Sequence, residues 1–402
     1  MDIRQLQTPC YIFNEEIYRE NIRSFRDAFC SSWGGKCLFG YSVKTNHLRW
    51  PLLIARDEGF MTEVVSPDEY EYVQSLGIKD DEIIYNGPQK GKGMIDAVLK
   101  GAIVNLDSMS ECELLIRTIA DTEVAAVKKE SFRVGIRINF DLEKLCPGET
   151  TMGAEVSRFG ICSENGDLDR AVRMLRDNGI SIKGIHMHQS SRTRSTAIFR
   201  AIAEKACETA ERYDLDDIEF VDMGGGFFGG DFFPGKPSVK DYADTICDIL
   251  KRKFDPSSVV LITEPGAGIL ATSWDYLTAV INLRMVKDRH IATLDGTLLH
   301  INPFMNPHEV PCTMIDPGER MEPGERDLWI FAGSTCMEKD RIDPRDIEYR
   351  PTEDSKILFH CCGAYMATHN SNFINAAPTV YAYSGKDYRL LRTKDPLMMG
   401  DY

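Results

Sequence analysis

Short apolar runs, rich in β-branched and aromatic residues, recur along the first two thirds of this chain with helix-patterned stretches between them. The runs are 38–44, 60–65, 82–86, 103–107, 133–140, 182–188, 218–223 and 259–264. Within 133–140, Val134, Ile136 and Ile138 alternate with other residues, which is the period of an extended strand. Segments 110–120, 167–177, 195–213 and 240–253 carry apolar residues at helical spacing instead. Strands alternating with helices build parallel βαβ units. This many units fit a closed (β/α)8 (TIM) barrel, whose chemistry sits where the strands end. Lys44, His188, Gly224, Gly225, Gly226 and Glu264 all lie at or just past such an end.

Beyond about residue 274 the texture changes. Runs 276–286, 291–294, 327–332 and 357–359 read as strands separated by turns such as Pro317-Gly318 and Pro323-Gly324. Long helical patterns are scarce, so this part reads as β-rich, and 10–13 can join its sheet. The expected division is a barrel over 21–274, with 1–20 and 275–402 forming the β-rich domain. Net charge is −15, which repels phosphate backbones and argues against nucleic-acid binding. No apolar run approaches the roughly 20 residues that span a bilayer, and the first residues are polar; the expectation is a cytoplasmic protein. The 12 cysteines show no Cys-x-x-Cys spacing, so reduced thiols are expected rather than disulfides or a metal site.

Each strand-end residue has a plain reading alone: a snorkelling lysine, a structural histidine, a tight glycine loop, a carboxylate capping a turn. Each also has a chemical one. An amine in a partly dry pocket has a lowered pKa and a free lone pair. Consecutive glycines let backbone N–H groups approach an anion.

The motifs together carry a resemblance. They are Tyr41-Ser42-Val43-Lys44-Thr45-Asn46, His186-Met187-His188-Gln189-Ser190-Ser191, Asp222-Met223-Gly224-Gly225-Gly226, Thr263-Glu264-Pro265-Gly266-Ala267, Gly333-Ser334-Thr335-Cys336-Met337-Glu338-Lys339-Asp340 and Gly363-Ala364-Tyr365. In this order they resemble the fold-type III pyridoxal-phosphate decarboxylases, the family of diaminopimelate, ornithine and biosynthetic arginine decarboxylases, with alanine racemase a more distant relative. The resemblance implies an alanine racemase-like fold and pyridoxal 5'-phosphate as cofactor. By it, Lys44 is the covalent attachment point, His188 stacks on the ring, and Glu264 faces the pyridine nitrogen. Ser191, the three glycines, Gly266 and Tyr365 serve the phosphate, while Glu63 and Arg137 match secondary pocket positions. Cys336 becomes a proton donor reaching into the neighbouring subunit's site, so a homodimer with shared sites is implied. Lys44, Cys336 and Glu264 are thus the expected catalytic residues.

The chain also departs from that pattern. Ser190 replaces a glycine. Ala267 stands where relatives carry an arginine that helps hold the phosphate, and Arg192 or Arg194 could compensate. Met337 replaces an acid that binds a distal amine. Asp295, His300, Met337, Glu338 and Asp340 are the candidates for substrate contact, and Asn302 and His308 could extend a polar pocket. The expected activity is decarboxylation of an amino acid or amino-acid conjugate with altered distal-group recognition. Alternatives are a carboxynorspermidine-type or siderophore-pathway decarboxylase, an amino-acid racemase, and a non-catalytic regulatory homologue.

Overall fold

The computed structural model describes residues 2–120, 131–150, 157–215, 217–229, 235–306, 308–370 and 372–399. The chain opens with strand β1 (Cys10–Asn14). The barrel strands follow: β2 (Cys37–Ser42), β3 (Met61–Val64), β4 (Ile83–Tyr85), β5 (Ile103–Leu106) and β6 (Arg133–Asn139), then, after a short β7 (Ile161–Cys162), β8 (Gly184–His186), β9 (Phe220–Asp222) and β10 (Val260–Thr263). They run parallel in the order β5-β4-β3-β2-β10-β9-β8-β6, and pairing of β5 with β6 closes the ring; β7 hangs on the edge of β6. All the expected barrel runs are therefore strands. Met61, Ile84, Ile103, Phe220 and Ile262 form a separate buried cluster contributed by β3, β4, β5, β9 and β10. Polar residues are left to the C-terminal ends, where the ring opens.

Helix Glu15–Trp33 shows why the outer layer forms. The Asn14 side chain accepts from Ile17 N and caps it, and Gly34 ends it at φ 76°. Tyr18, Ile22, Phe25, Phe29 and Trp33 make one buried stripe. Burial of each large side chain contributes about 1.5–3 kcal/mol over leaving it in water. The stripe packs toward helix Val239–Leu250 and the turn after β10. A division at residue 20/21 falls inside this helix.

The remaining strands are β11 (Trp274–Val286), β12 (Arg289–Leu294), β13 (Glu309–Ile315), β14 (Trp329–Ala332), β15 (Arg341–Arg345), β16 (Lys356–Phe359), β17 (Thr379–Tyr383) and β18 (Tyr388–Arg392). They form a separate mixed sheet in the order β12-β14-β15-β13-β16-β11-β1-β17-β18, with β12 also pairing with the far end of β11. β1 lies antiparallel to β11 and parallel to β17, as the apolar run 10–13 suggested.

His300 belongs to this interior. Its Nδ1 pairs with Tyr276 Oη at 2.6 Å, and Tyr11 Oη donates to its carbonyl at 2.6 Å. Its carbonyl and Nδ1 are thus both engaged by buried tyrosines, and it does not line the cavity that holds Lys44. Burial pushes its pKa down to about 3. The unfolded chain accepts a proton near pH 6.5 that the folded chain refuses, so the associated stability is present above pH 6.5 and is lost as pH falls toward about 3. Between about pH 7.5 and about pH 5, denaturant unfolding should show roughly 2 kcal/mol less loss in His300→Gln than in the wild type. Equal losses in the two proteins would refute this.

Candidate active site at the barrel mouth

β2 ends at Ser42, and Val43–Thr45 makes a single 3-10 turn that carries Lys44 off the strand line. Register sets Ser42 of β2 opposite Glu63 of β3. Ser42 Oγ donates to Glu63 Oε2 at 2.7 Å, and Lys44 Nζ forms a close ion pair with the same oxygen. Just past β4, Asn86 Nδ2 donates to Glu63 Oε1 at 3.2 Å and also to Glu264 Oε1, just past β10. Asn105 Nδ2 fixes the Asn86 amide from behind, at 2.8 Å from its oxygen. Burial pulls the Lys44 ammonium down, but Glu63 and Glu264 outweigh it and hold the pKa above the usual lysine value. This corrects the lowered pKa expected from a dry pocket: two carboxylates share that pocket.

On the other side of the ring, Arg137 donates to His188 O at 3.1 Å and pairs with Asp107 at 3.3 Å. Gly225 N donates to His188 Nδ1 at 3.1 Å, so that nitrogen carries no proton. Burial, then the Arg137 charge, hold His188 far below its ordinary pKa and leave the ring neutral. Gly224 sits at φ 67°, and a Cβ there would lie 2.3 Å from His188 Cβ; one on Gly225 would lie 2.5 Å from Glu264 O. Neither position admits a side chain.

His186, Asp222 and Glu264 form one sealed cluster, with His186 Nε2 3.6 Å from Glu264 Oε2. Two carboxylates so close do not both ionise. Burial, then Glu264, push Asp222 well up. Burial also opposes charge on Glu264, but His186 and Lys44 outweigh it and hold its pKa low. Asp222 therefore keeps the proton and Glu264 the charge.

A cavity of about 190 Å³ opens over these groups. It is smaller than the roughly 300–1,000 Å³ typical of drug-sized ligands, which suits a compact molecule. Its lining joins the Lys44 amine, the His188 ring and the Glu264 carboxylate to the hydroxyls of Ser190 and Ser191 and the backbone of Gly225, Gly226 and Gly266. Tyr365 arrives from the β-rich part at φ 65°, its N–H donating to Thr45 O at 2.7 Å, while Asn46 Nδ2 donates to Gly363 O at 3.2 Å. An amine for an aldehyde, a neutral ring to stack, an anion for a pyridine nitrogen and a hydroxyl-and-amide cradle for a phosphate are the donor set pyridoxal phosphate needs, and the bare glycines leave it room.

The sequence matches the family described as "Pyridoxal-dependent decarboxylase, pyridoxal binding domain" over residues 16–271. The chain belongs to the pyridoxal-dependent decarboxylases. It is 30% identical to the diaminopimelate decarboxylase of Zymomonas mobilis over 97% of this chain and 91% of that protein. It is 26% identical to the Methanocaldococcus jannaschii enzyme of the same name, over 96% of this chain and 89% of that one. The crystal structure of the M. jannaschii diaminopimelate decarboxylase with L-lysine superposes with a TM-score of 0.82 at 23% identity, covering 98% of this chain and 91% of that chain. A Vibrio vulnificus lysine/ornithine decarboxylase with cadaverine gives 0.76 at 18% identity, covering 96% of each. Pyridoxal phosphate is the cofactor of this decarboxylase, and its fold is the fold-type III barrel with a separate β domain.

Other expected residues of the decarboxylase lie elsewhere. Cys336 is exposed and, with Met337 and Glu338, lines a different cavity of about 460 Å³ beside Ile281 and Arg284. Asp340 faces inward: Oδ1 accepts from Leu298 N at 2.8 Å, and Oδ2 accepts from Thr335 Oγ1 at 2.6 Å and Thr335 N at 3.0 Å. It pins the loop, and these three bonds occupy most of its acceptor positions. Asp295 accepts from Ala279 N at 2.9 Å and does not line the Lys44 cavity. Asn302 bonds to Asn306 O at 2.6 Å and His308 Nδ1 at 3.3 Å in a local knot. All 12 cysteines are unpaired.

Sequence reasoning missed Ser42, Asn86, Asn105, His186 and Asp222 as members of the site. The available signal was a polar residue at the C-terminal end of an otherwise apolar strand, repeated from strand to strand.

Proposed function

We propose that this pyridoxal-phosphate decarboxylase acts on an α-amino acid whose distal end is not a bare ammonium, at a site shared between two copies of the chain. The carrying observation is the loop around Cys336. The residue after the cysteine is Met337, and Asp340 is already committed to Leu298 and Thr335. A thioether cannot neutralise an ammonium, and burying that charge unpaired is costly.

Bound pyridoxal phosphate supplies an electron sink for the α-carbon. Lys44 is its attachment point. The ionised Glu264, kept so by the proton on Asp222, holds a proton on the ring nitrogen. Glu63, held by Ser42 and Asn86, keeps the Lys44 side chain aimed into the cavity. Cys336 of the second copy returns a proton to the α-carbon. Exposed Ile281, Met285 and Val286 lie on β11, two of them in the Cys336 cavity, and offer an apolar face to that copy.

Carbon dioxide release from a panel of diaminopimelate, lysine, ornithine and distally carboxylated or N-alkylated diamino acids tests the reading. The masked substrates should exceed lysine and ornithine in kcat/KM by about 10-fold or more. Preference for lysine or ornithine would refute the distal-group assignment. Product of unchanged mass would move the chain to racemase chemistry.

A further inference from the structure

The phosphate end of this site has a charge problem. Lys44, the obvious cation in the cavity, is already matched by Glu63. His188 is neutral, and Ala267 contributes only a methyl to the lining. A phosphate seated among Ser190, Ser191, Gly225 and Gly226 would have dipoles but no cation.

One further cation lines the cavity: Arg194. Its backbone is held in the left-handed region at φ 53°, an uncommon state for a residue with a side chain. Tyr242 Oη donates to its carbonyl at 2.5 Å and helps fix that turn. The guanidinium carbon lies 4.7 Å from the centre of the Phe228 ring, and Lys236 Nζ lies 4.8 Å from the same ring. Phe228 stands two residues beyond Gly226, so the ring brings both cations close to the glycine turn. Among the described residues, no carboxylate forms an ion pair with Arg194. Arg192 behaves differently: it is exposed, its Nη1 donates to Gly148 O at 3.4 Å, and it is absent from the lining.

We propose that Arg194, carried on the ring of Phe228, is the cation that pairs with the cofactor's phosphate in this chain. The inference rests on the pyridoxal-phosphate reading of the cavity. A planar guanidinium suits a phosphate because it donates two parallel charge-assisted hydrogen bonds. Resting on an aromatic face keeps it poised, with no competing carboxylate among the described residues.

The experiment compares two probes, pyridoxal 5'-phosphate and pyridoxal, titrated by absorbance and fluorescence into cofactor-stripped full-length protein. The wild type should prefer the phosphorylated form strongly. Arg194→Met should lose about 10–100-fold in affinity for pyridoxal phosphate while binding pyridoxal as before. Arg194→Lys should recover part of the loss, and Phe228→Leu should lose about 2–5-fold on the phosphorylated probe alone. Arg194→Met binding both probes like the wild type would overturn the proposal, as would an equal loss on both, which marks a folding role. A wild-type protein that binds neither probe overturns the cofactor reading itself, a result distinct from either of these.

Discussion

Lys44→Ala is expected to abolish the visible absorption band of the bound cofactor and to lower decarboxylation by roughly 10³-fold or more. On the proposed function the amine is the covalent anchor, and no neighbouring group can take its place: Ser42 is an alcohol, and Arg194 cannot lose its proton. The substitution also strips Glu63 of its counter-charge. Because the Lys44 side chain is 36% exposed, water screens part of that pair, and the stability lost should be well below that of a sealed ion pair. Lys44→Ala/Glu63→Gln separates the two effects: thermal stability should recover and turnover should not. An unchanged visible spectrum in Lys44→Ala would sink the anchor assignment, whatever happened to activity.

Mixing two inactive variants should restore activity. Lys44→Ala and Cys336→Ala are each expected to be severely impaired as pure proteins. Unfolded and refolded together, they should give roughly a quarter of wild-type turnover, because half the random pairs are hybrids and each hybrid keeps one of its two sites intact. The reason is geometric. One chain places Lys44 in the barrel-mouth cavity and exposes Cys336 in another, so a single chain does not unite them. On the proposed function, a second copy that inserts its Cys336 loop would complete the site. No recovery on mixing, or a catalytically competent monomer on size-exclusion chromatography, would show that the site is built within one chain.

The barrel was legible because its signal is local. Each of its strands is a short apolar run ending in a polar residue, and runs such as 133–140 and 259–264 announce themselves without any partner. The β-rich part was harder. β13 and β15 carry Pro311 and Pro344, residues that normally argue against a strand; each sits near the end of a ladder, since β13 comes into register with β16 only from Cys312 and β15 with β14 only at Arg341 and Ile342. The motif residues Lys44, His188, Gly225, Glu264 and Tyr365 do meet around one cavity. What the sequence concealed were relations across register. That Ser42 stands opposite Glu63, or that Asn86 ties Glu63 to Glu264, depends on strand alignment that no run of neighbours encodes. The charge state of Lys44 was misjudged for the same reason: its two carboxylates arrive from β3 and from the end of β10. Asp340 and His300 look available in one dimension and are engaged by internal hydrogen bonds in three.

Strand β1 precedes the barrel in the chain, yet both of its hydrogen-bonding edges are claimed by strands that follow the barrel: β11 on one side and β17 on the other. Throughout synthesis of the barrel it is a nascent ribbon with two bare edges, the kind of surface that recruits other chains. It runs directly into helix Glu15–Trp33, so it waits anchored to the forming barrel rather than adrift. A fragment that kept β1 and the barrel alone would strand this ribbon, so the two sheets are biosynthetically one unit, and one buried apolar cluster runs through both.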